Sequence, residues 1–104
     1  MGIYLRKLFS AAAMLAVPAA DAYIVHGYDL HDVCSTNAEV CQAYVVGVLE
    51  GFDASGKLIC LPSGSSGEQY MVIFTNYLQA HPERLHEPAA RLLLDSIFET
   101  YPCD

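Results

Sequence analysis

Four cysteines, Cys34, Cys41, Cys60 and Cys103, and four histidines, His26, His31, His81 and His86, are the side chains best able to do chemistry in this sequence. Together they could hold zinc, but no C-x-x-C knuckle and no following H-x(3-5)-H pair is present, and the cysteines are 7, 19 and 43 residues apart. Structural disulfides fit that spacing better, and His81 and His86, five residues apart, read as caps or core-edge residues. A G-x-S-x-G elbow, a glycine-rich phosphate loop and an H-E-x-x-H pair are all missing. The reading is a protein with no catalytic residues, no cofactor and no metal.

The disulfide reading depends on compartment, and the first residues supply one. Arg6 and Lys7 precede an apolar run from Leu8 to Val17, Pro18 breaks it, and Ala20-Asp21-Ala22 has the small-x-small pattern of a signal-peptidase site. Ten residues are too few to span a bilayer. Residues 1–22 are therefore expected to be a signal peptide, and residues 23–104 one domain without a membrane segment. Cleavage leaves 82 residues and moves the net charge from -7 to -8. Lys57, Arg84 and Arg91 are then the only strong cations, too few for nucleic acid. A domain this small commonly needs covalent staples, and an even cysteine count in an exported chain reads as two bonds.

Helical spacing dominates the rest of the chain. Leu30, Val33 and Cys34 share a face over Asp29 to Cys34. Thr36 with Glu39 reads as a capping box opening a helix to Phe52, in which Gly47 suggests a close approach by another helix. Leu58 to Leu61 reads as extended, and Ser63 to Gly67 as a polar loop. Ser65 with Glu68, or Ser66 with Gln69, caps a third helix that carries Tyr70, Met71, Ile73, Phe74, Tyr77 and Leu78 and stops at His81-Pro82. A last helix starts near Pro88 and runs until Pro102, with Arg91 and Asp95 placed to pair. The expected fold is all-α, a small disulfide-stapled bundle of three to four helices. If the chain doubles back along the second helix, Cys60 reaches Cys41, which leaves Cys34 for Cys103.

Several of these strings occur together in one known family. Gly27-x-x-Leu30-x-x-x-Cys34, Cys41-x-x-Tyr44-x-x-Gly47, Cys60-Leu61-Pro62, Gln69, Tyr77-Leu78-x-x-His81-Pro82-Glu83, His86-x-Pro88-Ala89-Ala90 and Tyr101-Pro102-Cys103 follow one another in an order that resembles the Rap/Tai family, the immunity proteins of type VI secretion amidase effectors. The resemblance implies a periplasmic, mainly helical protein whose partner is a peptidoglycan amidase toxin. After Pro62 the chain departs from the family's G-V-T type turn, with Ser63 to Gly67 in its place.

An inhibitor of a cleft enzyme needs a protruding segment. Ser63, Gly64, Ser65, Ser66 and Glu68 form the best candidate, with Tyr70 as an adjoining aromatic anchor. Acidity suits steering toward a basic cleft, although it also serves plain solubility. Two other classes remain open. One is a small acidic periplasmic chaperone of the acid-stress kind, and the other is an orphan relative acting as a binding scaffold. Whether the chain pairs with itself is also left open. The leader gives a direct prediction: mass spectrometry of the exported protein finds an N-terminus at or near Tyr23, whereas an intact Met1 on cytosolic protein would remove the basis for the disulfides.

Overall fold

Asn37 both ends one helix and begins the next. Its backbone is extended (φ -146°, ψ 91°), its N–H donates to the Val33 carbonyl at 2.7 Å, and its side-chain oxygen accepts from Val40 N–H at 3.2 Å. In the computed structural model, which describes residues 24–104, helix α1 (Gly27–Thr36) and helix α2 (Ala38–Ala54) thus fold back on each other at one residue. The leader expected over residues 1–22 lies outside the described residues. Thr36 is not the cap that the sequence suggested. It is the last residue of α1, and its hydroxyl donates back one turn to the Asp32 carbonyl at 3.0 Å, which leaves the capping to the amide of Asn37.

The other boundaries follow the residues that dictate them. Asp29 accepts from the His26 N–H at 2.9 Å and holds the entry to α1. Ser66 and Gln69 make the expected capping box at the start of α3 (Gly67–Ala80), which ends at His81 before Pro82. A 3-10 turn (Pro82–Arg84) leads to α4 (Ala89–Thr100), entered through Pro88. The all-α expectation holds: the described residues form four helices and no strand.

Each helix contributes one row to a single core. Leu30 comes from α1, Cys41, Val45 and Leu49 from α2, Tyr70, Phe74 and Leu78 from α3, and Ala89, Leu92, Leu93 and Ile97 from α4. The only buried polar side chain among the described residues, Ser96, donates to the Leu93 carbonyl at 2.7 Å. Phe52 and Phe98 meet edge to face at the margin, 5.7 Å between centroids.

The disulfides join Cys34 to Cys41 and Cys60 to Cys103, not Cys41 to Cys60 and Cys34 to Cys103. In one unbroken helix, residues seven apart would lie about 10 Å apart along the axis, too far for a bond. The break at Asn37 folds that distance to a Cα separation of 4.9 Å. The segment after α2 does not run back along it to Cys41; it meets the chain end beyond α4, where the Cys60 and Cys103 Cα atoms are 5.4 Å apart. In the chain-entropy account the two closures contribute about 2.5 and about 4 kcal/mol.

Arg84 ties the α3–α4 connection together. Its Nε and Nη2 donate to the two Glu87 oxygens at 2.9 and 2.8 Å, Nη2 reaches Asp95 Oδ2 at 2.7 Å, and Nη1 donates to the Tyr77 hydroxyl. Asp95 therefore pairs with Arg84 rather than with Arg91, which stays exposed, because the planar guanidinium serves both carboxylates at once. Hydrogen bonding to Arg84 holds the Glu87 carboxyl below its usual range and raises the arginine further above its own. Burial pushes the Tyr77 phenol up, with Arg84 pulling the other way.

Gly47 does not receive another helix. It is exposed, and nothing lies within 4 Å of a Cβ placed there. The close approach is at Gly27, where a Cβ would sit 2.6 Å from Leu92 Cδ1 and 3.0 Å from the Leu85 backbone. Two predictions follow from these contacts. Gly47→Ala should raise unfolding free energy by about 0.5–1 kcal/mol, and Gly27→Ala should lower it by about 1–3 kcal/mol, both read from urea denaturation. Because the folded Glu87 pKa is depressed, its contribution is present above the ordinary carboxylate pKa and disappears as pH falls through the lowered value. Glu87→Gln should then destabilise the protein at about pH 7 and differ little from the parent at about pH 2, measured as denaturation midpoints.

Candidate functional site

The segment that leaves Cys60 is built rather than slack. Its carbonyl at Pro62 accepts both the Ser65 N–H at 3.2 Å and the Ser65 hydroxyl at 2.6 Å, and Gly64 has φ +83°. Pro62 to Ser65 is a tight turn whose third residue needs the left-handed region, where glycine alone carries no Cβ penalty. Ser65 also hydrogen-bonds the Tyr70 hydroxyl. Ser66 N–H donates to Gln69 Oε1 at 2.8 Å, and Gln69 N–H donates to Ser66 Oγ at 3.3 Å.

These bonds sort the six residues singled out in the sequence. Ser63, Gly64, Ser66 and Glu68 are exposed and Ser65 is half-buried. The side chains of Ser65 and Ser66 are spent on the turn and the helix cap, so Ser63, the Gly64 backbone and Glu68 are what the loop offers outward. Tyr70 is no outward anchor. It is 9% exposed, stands edge-on to Tyr101 at 6.4 Å, and supports the loop from beneath through Ser65. Its place in the Tyr70, Phe74, Leu78 row carries the signal for that burial.

Beside the loop lies a groove of about 360 Å³ that the sequence reading missed. Val46, Leu49, Glu50 and Asp53 of α2 form one wall, Ile59 and Leu61 a second, and Gly67 and Tyr70 of α3 the third. Gly67 lets α3 start hard against α2, since a Cβ there would meet Val46 Cγ2 at 2.8 Å and Gln42 Nε2 at 3.2 Å. Alternation along Leu58 to Leu61 marks the apolar wall: Leu58 is 72% exposed, while Ile59 and Leu61 pack on the core. The i, i+3 pair Glu50 and Asp53 marks the acidic rim. Among the described residues neither carboxylate has an ion-pair partner.

The motif residues are mostly structural. Gly27 makes the close contact with Leu85 and Leu92, Tyr77 and Arg84 join α3 to the connection, and His81 caps α3 with Nδ1 3.1 Å from Glu83. Tyr44 packs against the core, and burial pushes its phenol pKa up.

No curated protein and no solved structure matches the chain significantly. A family described as Rap1a immunity proteins does match, over residues 26–103, from the residue capping α1 to the last cysteine. That span holds all four helices, both disulfides, the loop and the groove, so the chain belongs to the Rap1a immunity proteins, a family of toxin immunity proteins that act by binding a toxin.

Proposed function

We propose that this protein is exported to the periplasm and there binds and blocks a peptidoglycan amidase toxin delivered by type VI secretion, protecting the producing cell. The observation that carries the reading is the preorganised Ser63 to Glu68 loop. Its turn is closed by Pro62 and Ser65, one end is held by the Cys60–Cys103 bond and the other by the α3 capping box, so little ordering cost is left for binding. The exposed Ser63-Gly64 backbone is small enough to approach catalytic groups in a cleft, with Glu68 available to a cation beside them. Uncompensated acidic charge on the neighbouring face speeds encounter with a basic surface.

The acid-stress chaperone reading has less support. Its core would have to open on protonation, yet among the described residues Ser96 is the one buried polar residue and the carboxylates lie outside the core.

Ser65 and Ser66 hold the loop's shape, so the informative variant changes what faces outward. Ser63→Arg with Glu68→Arg should leave the melting temperature unchanged, weaken binding to a candidate type VI amidase toxin by about tenfold or more, and reduce survival of intoxicated cells. Wild-type affinity in the double variant would make the loop a connector. Failure of the wild-type protein to bind that amidase would remove the proposed target.

A further inference from the structure

The geometry points to the groove between α2 and the Ile59–Leu61 segment as a receptor for one arginine side chain of the toxin; this deepens the immunity reading and rests on it. The floor and walls, Val46, Leu49, Ile59 and Leu61, suit an aliphatic stem. Glu50 and Asp53 stand one turn apart at the rim, where a guanidinium can donate to both. The stem and head of an arginine divide in the same way, apolar methylenes on apolar wall and charge toward carboxylate and water.

Charge is the reason the occupant is a cation. Two carboxylates three residues apart on one helix face repel each other, and no lysine, arginine or histidine among the described residues forms an ion pair with either. Lys57, the nearest cation in sequence, is exposed and likewise unpaired. A metal ion is a poor alternative, since no group of three His, Cys, Asp or Glu side chains comes together among the described residues. Arginine fits better than lysine because its planar fork serves two acceptors and it is less strongly hydrated, which favours its burial at interfaces.

The groove also borders the loop. Gly67 belongs to its lining and follows the Ser66 cap directly, and the hydroxyl of Tyr70, another lining residue, is bonded to Ser65. A partner whose cleft takes the loop therefore brings its rim over Glu50 and Asp53. The two contacts form one continuous surface, the loop as the inserted part and the groove as the socket for a side chain from the partner's edge.

The test uses two probes on the full mature protein. A blocked Gly-Arg-Gly peptide is titrated into isotope-labelled protein, with a Gly-norleucine-Gly peptide as control. Saturable shifts are expected at Val46, Leu49, Glu50, Asp53, Ile59 and Leu61, weakened by at least about tenfold in the E50Q/D53N variant and with the control peptide. Both substituted residues are exposed and free of side-chain hydrogen bonds among the described residues, so an unchanged melting temperature is expected. No saturable shift up to the solubility limit, or equal binding by the norleucine peptide or the variant, overturns the proposal. In the second arm the same variant should bind the amidase at least about tenfold more weakly. If the amidase binds wild type and variant alike, the arginine socket falls and the immunity reading stands. If it binds neither while the arginine peptide still fills the groove, the choice of toxin falls and the cation specificity of the groove stands.

Discussion

The Cys60–Cys103 bond is the constraint on which the exposed architecture depends. It pins the chain end to the segment that follows α2, across a separation of 43 residues. Pinning Cys103 keeps Tyr101 against Tyr70, and Tyr70 in turn holds Ser65. The same bond keeps Ile59 and Leu61 on the core, where they wall the groove. One covalent link thus fixes both a turn that has no helix of its own and an apolar wall that has no sheet to hold it.

Charge is distributed in a way that separates structure from recognition. The described residues hold three strong cations, Lys57, Arg84 and Arg91, and Arg84 is fully engaged by Glu87, Asp95 and Tyr77 at the α3–α4 connection. The acidic residues along α2, Glu39, Glu50 and Asp53, get no such compensation among the described residues. One end of the bundle is locally balanced and inert, and the outer face of α2 keeps its field for a partner.

Much of this fold was legible because short-range physics governs it. Ser66 and Gln69 cap α3, Pro82 stops it, Pro88 starts α4, and the apolar rows fall at helical spacing, all of which depend on residues within two turns of one another. What failed depended on how helices meet. Thr36 and Asn37 are both good caps, and only the fold-back of α1 on α2 decides between them. The same fold-back decides the partner of Cys41, which a length argument cannot see. Ser35-Thr36-Asn37 was the available clue, three helix-breaking or capping residues between cysteines seven apart. Asp95 and Tyr70 failed for a related reason: Arg84 and Ser65 reach them from other elements. The groove was out of reach because its three walls come from α2, a non-helical segment and α3.

The connectivity itself has a consequence for how the molecule matures. The first cysteine in the chain bonds the second, and the third bonds the fourth. For a chain that enters an oxidising compartment N-terminus first, an oxidant joining each thiol to the next one to emerge makes the native pairs in order. In that setting the helical hairpin would be locked before the later cysteines emerge, and Cys60 would have only one free thiol left to meet, so the native pairs would form without shuffling of wrong ones.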